Sequence, residues 1–283
     1  MKRALYAFTS ALRELFRRWG VLLILVVLYF AMLGAIYWFF VTREATVGQL
    51  ILSLLLALAA PILLLIIQTM AARYNQGSMR ALALFGDSLR DFWKLLVISL
   101  PIILIAVMAV YLFGMLETTA PKTAVSEAVR SQPAAPRPVT PKPQPVSWGS
   151  VAITTIEYLL FCLVLPLAAI HLWIGTARYG LKQAFKRSPR TLARAFAPQS
   201  VVTYVIGFAF FAVVPYFLIV TKTPSSSAWL DAGLLAARLL LAALFSLIGW
   251  VVTVGALGEG DEAGGTVSVA QPNEGAGHVP AEA

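Results

Sequence analysis

The sequence predicts an all-α membrane protein with six transmembrane helices, and three observations indicate this fold. Fifty-nine per cent of the residues are hydrophobic, only 12% are charged and the mean hydropathy is +0.81, whereas soluble domains carry about 25% charged residues. Six apolar runs are each long enough to cross about 30 Å of hydrocarbon. Three basic amphipathic segments each precede such a run, so we expect three helical hairpins, each led by a cytoplasmic amphipathic helix.

Residues 1–20 predict an amphipathic helix at the membrane interface. At helical spacing, large apolar side chains fall on one face and basic side chains fall on the other. The apolar face holds Leu5, Phe8, Leu12, Leu15, Phe16 and Trp19, and the basic face holds Arg3, Arg13, Arg17 and Arg18. Similar patterns predict a second amphipathic helix over residues 78–94 and a third, interrupted by prolines, over residues 178–196.

The apolar runs divide the chain into two halves around a proline-rich linker. We predict spans at residues 21–41, 50–71, 95–116, 151–175, 201–220 and 228–257. The first half, residues 21–116, includes an amphipathic loop at 73–94, and the second, residues 149–257, includes a basic loop at 176–199. Residues 117–148 hold seven prolines, which predicts an extended external linker, with a proline-rich docking motif as the alternative. Residues 258–283 lack Lys and Arg and predict a disordered acidic, Gly-rich tail.

Two short patterns recur along the chain and indicate an internal repeat. SALRELFR at residues 10–17 matches DSLRDFWK at residues 87–94 in the order of apolar, acidic and basic positions. Ala72-Arg73-Tyr74 recurs as Ala177-Arg178-Tyr179, and each copy lies eleven residues after a proline. Internal duplication is common in polytopic membrane folds, and here it predicts a unit of one amphipathic segment followed by two spans.

Four prolines, Pro61, Pro101, Pro166 and Pro215, fall inside predicted spans. Each removes a backbone donor, so we expect kinked or opened helices whose freed carbonyls are satisfied by neighbouring helices. The matched positions of Pro61 and Pro166 predict that the second and fourth spans are structural equivalents.

The distribution of basic residues predicts the orientation. Fifteen of the 22 Lys and Arg residues lie in the amino-terminal segment and the loops at 73–94 and 178–194. The positive-inside rule then places both termini in the cytoplasm of a bacterial cell, with a multi-pass chain in the inner membrane. We attribute the net charge of +9 to this topology and to anionic lipid, and we expect no nucleic-acid partner.

Two charged residues lie inside predicted spans at a comparable depth. Glu157 and Arg238 each fall roughly 10–15 Å below the outer surface, at 1.5 Å of rise per residue. A lone arginine near the membrane centre costs at least ~2.5 kcal/mol, so we expect an intramembrane ion pair between them. The alternatives are that Arg238 reaches water or lipid alone, or that both groups line a substrate or proton path.

The basic segments also predict contacts with the headgroups of anionic phospholipids in the bilayer. The residues expected to make these contacts are Arg13, Arg17, Arg18, Arg90, Lys94, Lys186, Arg187 and Arg194. An unidentified protein partner or a second copy of the chain is the alternative occupant of these segments.

No catalytic motif stands out. The zinc-protease HExxH, the GxSxG elbow and the Walker lysine loop are absent, so we expect no catalytic residues, no metal and no cofactor. Gly258-Glu259-Gly260-Asp261 fits the GxGD pattern of intramembrane aspartyl proteases, but it follows the last predicted span. We therefore interpret that match as coincidence.

A resemblance to a known family rests on Ala184-Phe185-Lys186-Arg187-Ser188-Pro189-Arg190, followed by Phe196 and a new span. This stretch is similar to cytoplasmic turns of bacterial six-span families that look related to the membrane domain of some glycerophosphodiester phosphodiesterases. The resemblance extends loosely over residues 60–256. It implies a six-helix membrane domain and brings no catalytic residues to this chain.

Two functional hypotheses follow from the sequence. The first is a non-enzymatic membrane protein whose basic helices bind anionic lipid or a partner. The second is a transporter of a small molecule or lipid, with its site near Glu157 and Arg238. An ABC-type permease subunit ranks below both, because residues 86–101 resemble its coupling loop only loosely and their glycine-to-proline spacing is two residues too long. An enzyme ranks last.

Overall fold

The computed structural model describes residues 2–42, 46–75, 80–119, 148–221 and 227–265. Within these ranges the regular structure is helical, and six helices are long and apolar enough to cross a membrane. The prediction of an all-α, six-span membrane protein is confirmed. Most of the predicted linker at 117–148 and the tail beyond Gly265 lie outside the described residues.

Ten α-helices and two π-helical turns make up the described part of the chain. The α-helices are α1 (Lys2–Arg17), α2 (Trp19–Val41), α3 (Val47–Arg73), α4 (Ala81–Thr119), α5 (Trp148–Leu159), α6 (Leu165–Tyr179), α7 (Leu181–Ala195), α8 (Pro198–Phe208), α9 (Val214–Val220) and α10 (Ala228–Gly265). The turn π1 (Leu160–Val164) joins α5 to α6, and π2 (Ala209–Val213) joins α8 to α9. The six spans are therefore α2, α3, α4, α5–π1–α6, α8–π2–α9 and α10.

The spans pack as three sequential hairpins, α2 with α3, α4 with α5–π1–α6, and α8–π2–α9 with α10. The first amphipathic segment is the separate helix α1, and the third is the separate helix α7. Gly180 divides α6 from α7 with a φ of +77°, a conformation that glycine adopts without the steric penalty of a Cβ.

The second amphipathic segment differs from the expectation of a separate surface helix. Residues 81–94 are the first turns of α4, a continuous helix of 39 residues that is about 58 Å long at 1.5 Å per residue. Nothing breaks the helix where residues 81–94 meet the span, since neither glycine nor proline occurs between Asp87 and Leu100. The ion pair between Asp91 and Arg73 also ties this part of α4 to α3, as described below.

Helix α1 folds against the bundle. Its buried face, Ala4, Ala7, Phe8, Ala11 and Leu15, packs on α8 and α10, and the Phe8 ring stacks on that of Phe210 with centroids 5.1 Å apart. Burying a Phe or Leu side chain stabilises a fold by about 1.5–3 kcal/mol relative to leaving it in water. The hydrophobic face that predicted an interfacial helix is therefore only partly used within the protein. Phe8 and Leu15 are buried and Leu12 is half-buried, whereas Leu5, Phe16 and Trp19 remain exposed.

Helix α10 continues eight residues past the predicted end of the last span at residue 257, to Gly265. Two of its glycines permit close packing. A Cβ on Gly255 would overlap the Tyr74 hydroxyl, and one on Gly258 would lie 2.9 Å from Nη2 of Arg178. The expectation that the tail begins at residue 258 is therefore wrong, because residues 258–265 are helical and Gly258 is buried.

The two π-helical turns lie at the same distance from a proline. π1 ends two residues before Pro166, and π2 ends two residues before Pro215. In a regular helix these prolines would leave the carbonyls of Cys162 and Phe211 without a donor. The Tyr204 hydroxyl donates to the Cys162 carbonyl at 2.8 Å, and the Ser246 hydroxyl donates to that of Phe211 at 3.1 Å. Neighbouring helices thus satisfy both carbonyls, as the sequence predicted.

Pro61 and Pro101 lie inside the α-helices α3 and α4, and no π-helical turn precedes them. The structural counterpart of Pro166 in this respect is Pro215 rather than Pro61. The matched Pro61 and Pro166 spacing therefore did not translate into a matched backbone.

Candidate functional site

One side of the bundle, here called the basic side, collects α1, the end of α3, the start of α4, the end of α6, α7 and the end of α10. Three contacts join the end of α3 to α1, α6 and α10, while the Arg73–Asp91 ion pair joins it to α4 and α7 packs on α6. The Tyr74 hydroxyl donates to the Ala11 carbonyl at 3.2 Å, Arg73 donates to the Ala177 carbonyl at 3.3 Å, and the Asn75 amide donates to Glu259 at 3.1 Å. The three segments that were rich in Lys and Arg therefore share one surface.

Tyr74 is the buried centre of this side. Its side chain is fully buried between α1 and α10. Burial, with smaller contributions from the nearby Glu259 and Glu14 carboxylates, raises the pKa of the Tyr74 hydroxyl above its usual value. The hydroxyl therefore remains a proton donor to the Ala11 carbonyl at any physiological pH.

A cluster of three charges joins α3, α4 and α6. Asp91 accepts from Arg73 at 2.6 Å and from Lys94 at 2.6 Å, and its side chain is only 9% exposed. Arg73 also reaches the Ala177 carbonyl at the end of α6. A buried carboxylate needs partners because removing it from water is costly. This cluster holds three spans in register, which is a structural role.

Glu14 repeats part of this arrangement at the matched position of the first unit. It pairs with Arg17 at 3.1 Å and with Arg18 at 2.6 Å. The Glu14 and Arg17 pair has the same three-residue spacing as the Asp91 and Lys94 pair. The two matched sequence segments thus carry matched ion pairs, although α1 is a separate helix and residues 81–94 belong to the continuous helix α4.

Helix α7 carries basic side chains that form no ion pair with the described carboxylates. Its inner stripe contains Ala184 and Ala195, which are buried, while the basic side chains are exposed: Lys182, Lys186, Arg187, Arg190 and Arg194. Residues 176–199 contain no Asp or Glu, and the ion pairs found among the described residues include none from α7. Helix α7 therefore presents a positive surface that no carboxylate in the described part of the chain compensates.

Aromatic side chains and a cavity accompany these charges. The Arg187 guanidinium lies 4.9 Å from the centre of the exposed Tyr179 ring, and Phe185 and Phe196 are 47% and 46% exposed. A cavity of about 580 Å³ is lined by Gln183, Lys186, Arg187, Pro189 and Arg190. Positive charge beside exposed aromatic rings is typical of a surface at the headgroup level of a membrane.

The structure sorts the predicted headgroup residues into two groups. Six are exposed, namely Arg13, Arg17, Arg90, Lys186, Arg187 and Arg194. Arg18 and Lys94 are only 17% and 29% exposed, and they pair with Glu14 and Asp91. The sequence analysis did not name Arg80 and Arg190 for this role, although both are exposed and line cavities on the basic side.

The structure does not bring Glu157 and Arg238 into an ion pair. Among the described residues, Arg238 donates to the Thr221 carbonyl, which lies just beyond the carboxyl end of α9. A guanidinium at a helix carboxyl end meets unsatisfied carbonyls and a favourable dipole. Glu157 belongs to α5, which packs on α4, whereas the first turns of α10 pack on α9. Equal depth therefore did not imply proximity.

Side-chain hydrogen bonds join the spans in the interior. The Trp250 indole donates to Gln68 at 2.7 Å between α10 and α3, and the Trp173 indole donates to Ser99 at 2.8 Å between α6 and α4. None of these four residues was predicted to make such a bond. A single amide in an apolar run, as Gln68 is, was the signal that could have identified the first of these bonds.

No known protein family, curated protein or solved structure matches this chain. The arrangement available for a function is the one just described: a polar, positively charged side on a six-span bundle, with exposed arginines and lysines on α1, α4 and α7.

Proposed function

We propose that this protein is a non-enzymatic membrane protein whose basic side binds the headgroups of anionic phospholipids. The observation that carries the proposal is α7, where five exposed basic side chains lie on a segment that has no carboxylate. Charges that serve the fold are paired, as at Asp91 and Glu14. The α7 charges serve no such pair among the described residues.

Anionic lipid is the binding partner that suits this surface. A Lys or Arg residue close to an anionic leaflet contributes about 1 kcal/mol of attraction, so a helix with five of them gains several kcal/mol. The same rule that places basic loops in the cytoplasm orients the basic side toward the cytoplasmic leaflet of a bacterial inner membrane. The resemblance of residues 184–196 to the membrane domain of glycerophosphodiester phosphodiesterases is part of this proposal, since it implies a six-helix domain without catalytic residues.

The test compares two fourfold variants of α7 in detergent. One replaces Lys186, Arg187, Arg190 and Arg194 with Gln, and the other exchanges Lys and Arg at the same positions so that the charge is retained. We expect phosphatidylglycerol, but not phosphatidylcholine, to raise the melting temperature of the wild type and of the charge-retaining variant. The Gln variant should lose this response. An undiminished response in the Gln variant would refute the proposal.

A transporter is the second candidate, and the π-helical turns favour it. Such turns are rare and often occur at functional sites, and here two of them lie in adjacent spans beside Pro166 and Pro215. Cys162, the single cysteine, lies exposed within π1. A water-filled path at this place would let a membrane-impermeant maleimide label Cys162 in intact vesicles. Our proposal places Cys162 against lipid and predicts no labelling, whereas labelling would favour transport.

A further inference from the structure

A second basic cavity, here called the Arg80 cavity, lies where α1 ends and where α2 and α4 begin. Its volume is about 580 Å³, and its lining includes Arg17, Arg18, Trp19 and Arg80. The helices meet closely there, because a Cβ on Gly20 would lie 3.1 Å from the Ala81 Cβ. Side chains that are about sixty residues apart in sequence thus surround one space.

The charges around this cavity do not balance. Glu14 pairs with both Arg17 and Arg18, so one carboxylate is shared between two guanidinium groups. The ion pairs found among the described residues include none from Arg80. Three positive side chains against one negative side chain leave two positive charges for a ligand.

The geometry separates a fixed guanidinium from two adaptable ones. Arg18 is 17% exposed and held by Glu14 at 2.6 Å, whereas Arg17 is 74% exposed, and Arg80 is also exposed. Guanidinium groups bind phosphate oxygens through two parallel hydrogen bonds, which makes arginine the preferred residue for phosphate recognition. A phosphate group that enters this cavity meets one preorganised donor and two mobile ones.

Trp19 indicates a lipid rather than a soluble anion as the source of the phosphate. It is 69% exposed and it is the first residue of the apolar span α2. Tryptophan at the end of a span lies at the level of the headgroups, with its ring against the first methylenes of the acyl chains. The cavity is therefore open toward lipid at the depth of a lipid phosphate.

We propose that the Arg80 cavity is a selective site for a phospholipid whose headgroup is a dianionic phosphomonoester, the chemistry of phosphatidic acid. A phosphomonoester carries a charge of about −1.5 to −2 at neutral pH, which matches the two uncompensated positive charges. This inference rests on the proposed function and adds selectivity to it. Helix α7 attracts any anionic lipid, whereas the Arg80 cavity distinguishes two charges from one.

The test measures dissociation constants of phosphatidic acid and phosphatidylglycerol with identical acyl chains for the full-length protein in detergent. Arg17→Gln with Arg80→Gln empties the cavity of its mobile donors and leaves the Arg18 pair intact. Lys2→Gln with Arg3→Gln is the matched control, because it makes the same charge change at exposed positions of α1 outside the cavity. Size-exclusion profiles establish that each variant is folded.

We expect the wild type and the control to bind phosphatidic acid about tenfold more tightly than phosphatidylglycerol, since each lost charge-assisted hydrogen bond is worth about a factor of ten or more. The cavity variant should lose that preference while it keeps its affinity for phosphatidylglycerol. The α7 Gln variant should bind both lipids more weakly by a similar factor and keep the preference.

Three results would overturn the assignment. The first is an equal affinity of the wild type for the two lipids, and the second is an unchanged preference for phosphatidic acid in the cavity variant. The third is displacement of phosphatidic acid by inorganic phosphate at a concentration equal to the dissociation constant of phosphatidic acid. If one of these results is found while phosphatidylglycerol binding still depends on α7, the selective site is refuted and the proposed function stands. Loss of all anionic-lipid binding by the wild type would remove both.

Discussion

Replacing Tyr204 with Phe should destabilise the bundle by about 1 kcal/mol, because the Cys162 carbonyl then loses its donor. Tyr204 is only 2% exposed, and its hydroxyl donates to the Cys162 carbonyl at 2.8 Å. An unsatisfied buried group costs about 1–3 kcal/mol in proteins generally, and hydrogen bonds between membrane helices average about 0.6 kcal/mol. The expected cost of about 1 kcal/mol lies above the membrane average and at the lower end of the range for buried groups.

The proline provides an internal check on this reasoning. In Pro166→Ala, residue 166 regains an N–H group that can donate to the Cys162 carbonyl, so the Tyr204 hydroxyl becomes dispensable. Tyr204→Phe should then cost close to nothing in the Pro166→Ala background, and the double-mutant cycle should report a coupling of about 1 kcal/mol, the size of the bond itself.

The assay is reversible unfolding of the purified protein in mixed micelles with increasing dodecyl sulfate. Tyr216→Phe is the matched control, because it removes the same atom in the same span from a side chain that is 61% exposed, and it should change the unfolding free energy very little. A Tyr204→Phe cost that is the same with and without Pro166 would show that the proline and the hydroxyl are not coupled.

Two further substitutions test the packing on the basic side. Asp91→Asn should destabilise the protein by about 3 kcal/mol in the same assay, because it leaves Arg73 and Lys94 without their shared carboxylate. Asp87→Asn is the control and should have little effect, since it removes a charge that is in no described ion pair. Equal effects of the two substitutions would refute a structural role for the cluster. Gly255→Ala should lower the melting temperature, because the added Cβ would overlap the Tyr74 hydroxyl. Gly114→Ala is the control and should be tolerated, since no atom lies within 4 Å of the added carbon. A Gly255→Ala variant with an unchanged melting temperature would contradict the close approach of Tyr74 to α10.

The features that depend on one-dimensional pattern were predictable. Apolar runs of sufficient length specified six spans because lipid requires each backbone polar group to be satisfied within a helix. The match between residues 10–17 and 87–94 placed an acid three residues before a base in both segments, and the structure contains the corresponding ion pairs at Glu14 and Asp91. The need of the Cys162 carbonyl for a donor from a neighbouring helix also followed from the missing N–H group of Pro166.

The features that depend on which helices are neighbours were not predictable in the same way. Glu157 and Arg238 have similar depths, but depth says nothing about position around the bundle axis, and Arg238 instead reaches the Thr221 carbonyl. The Gly-rich composition beyond residue 257 predicted a disordered tail, because composition does not show that Gly258 packs against Arg178. The sequence also could not identify Tyr204 as the donor to the Cys162 carbonyl, because that contact depends on how α8 packs against π1.

The most direct test of the proposed function is the amount of phosphatidylglycerol that remains bound to the purified protein, measured by native mass spectrometry. The comparison is between the wild type, the α7 variant with Gln at Lys186, Arg187, Arg190 and Arg194, and the variant that exchanges Lys and Arg at those positions. The account predicts bound lipid on the wild type and on the charge-retaining variant, and loss of most of it from the Gln variant. Equal amounts of bound lipid on all three would contradict the claim that the basic side binds anionic headgroups.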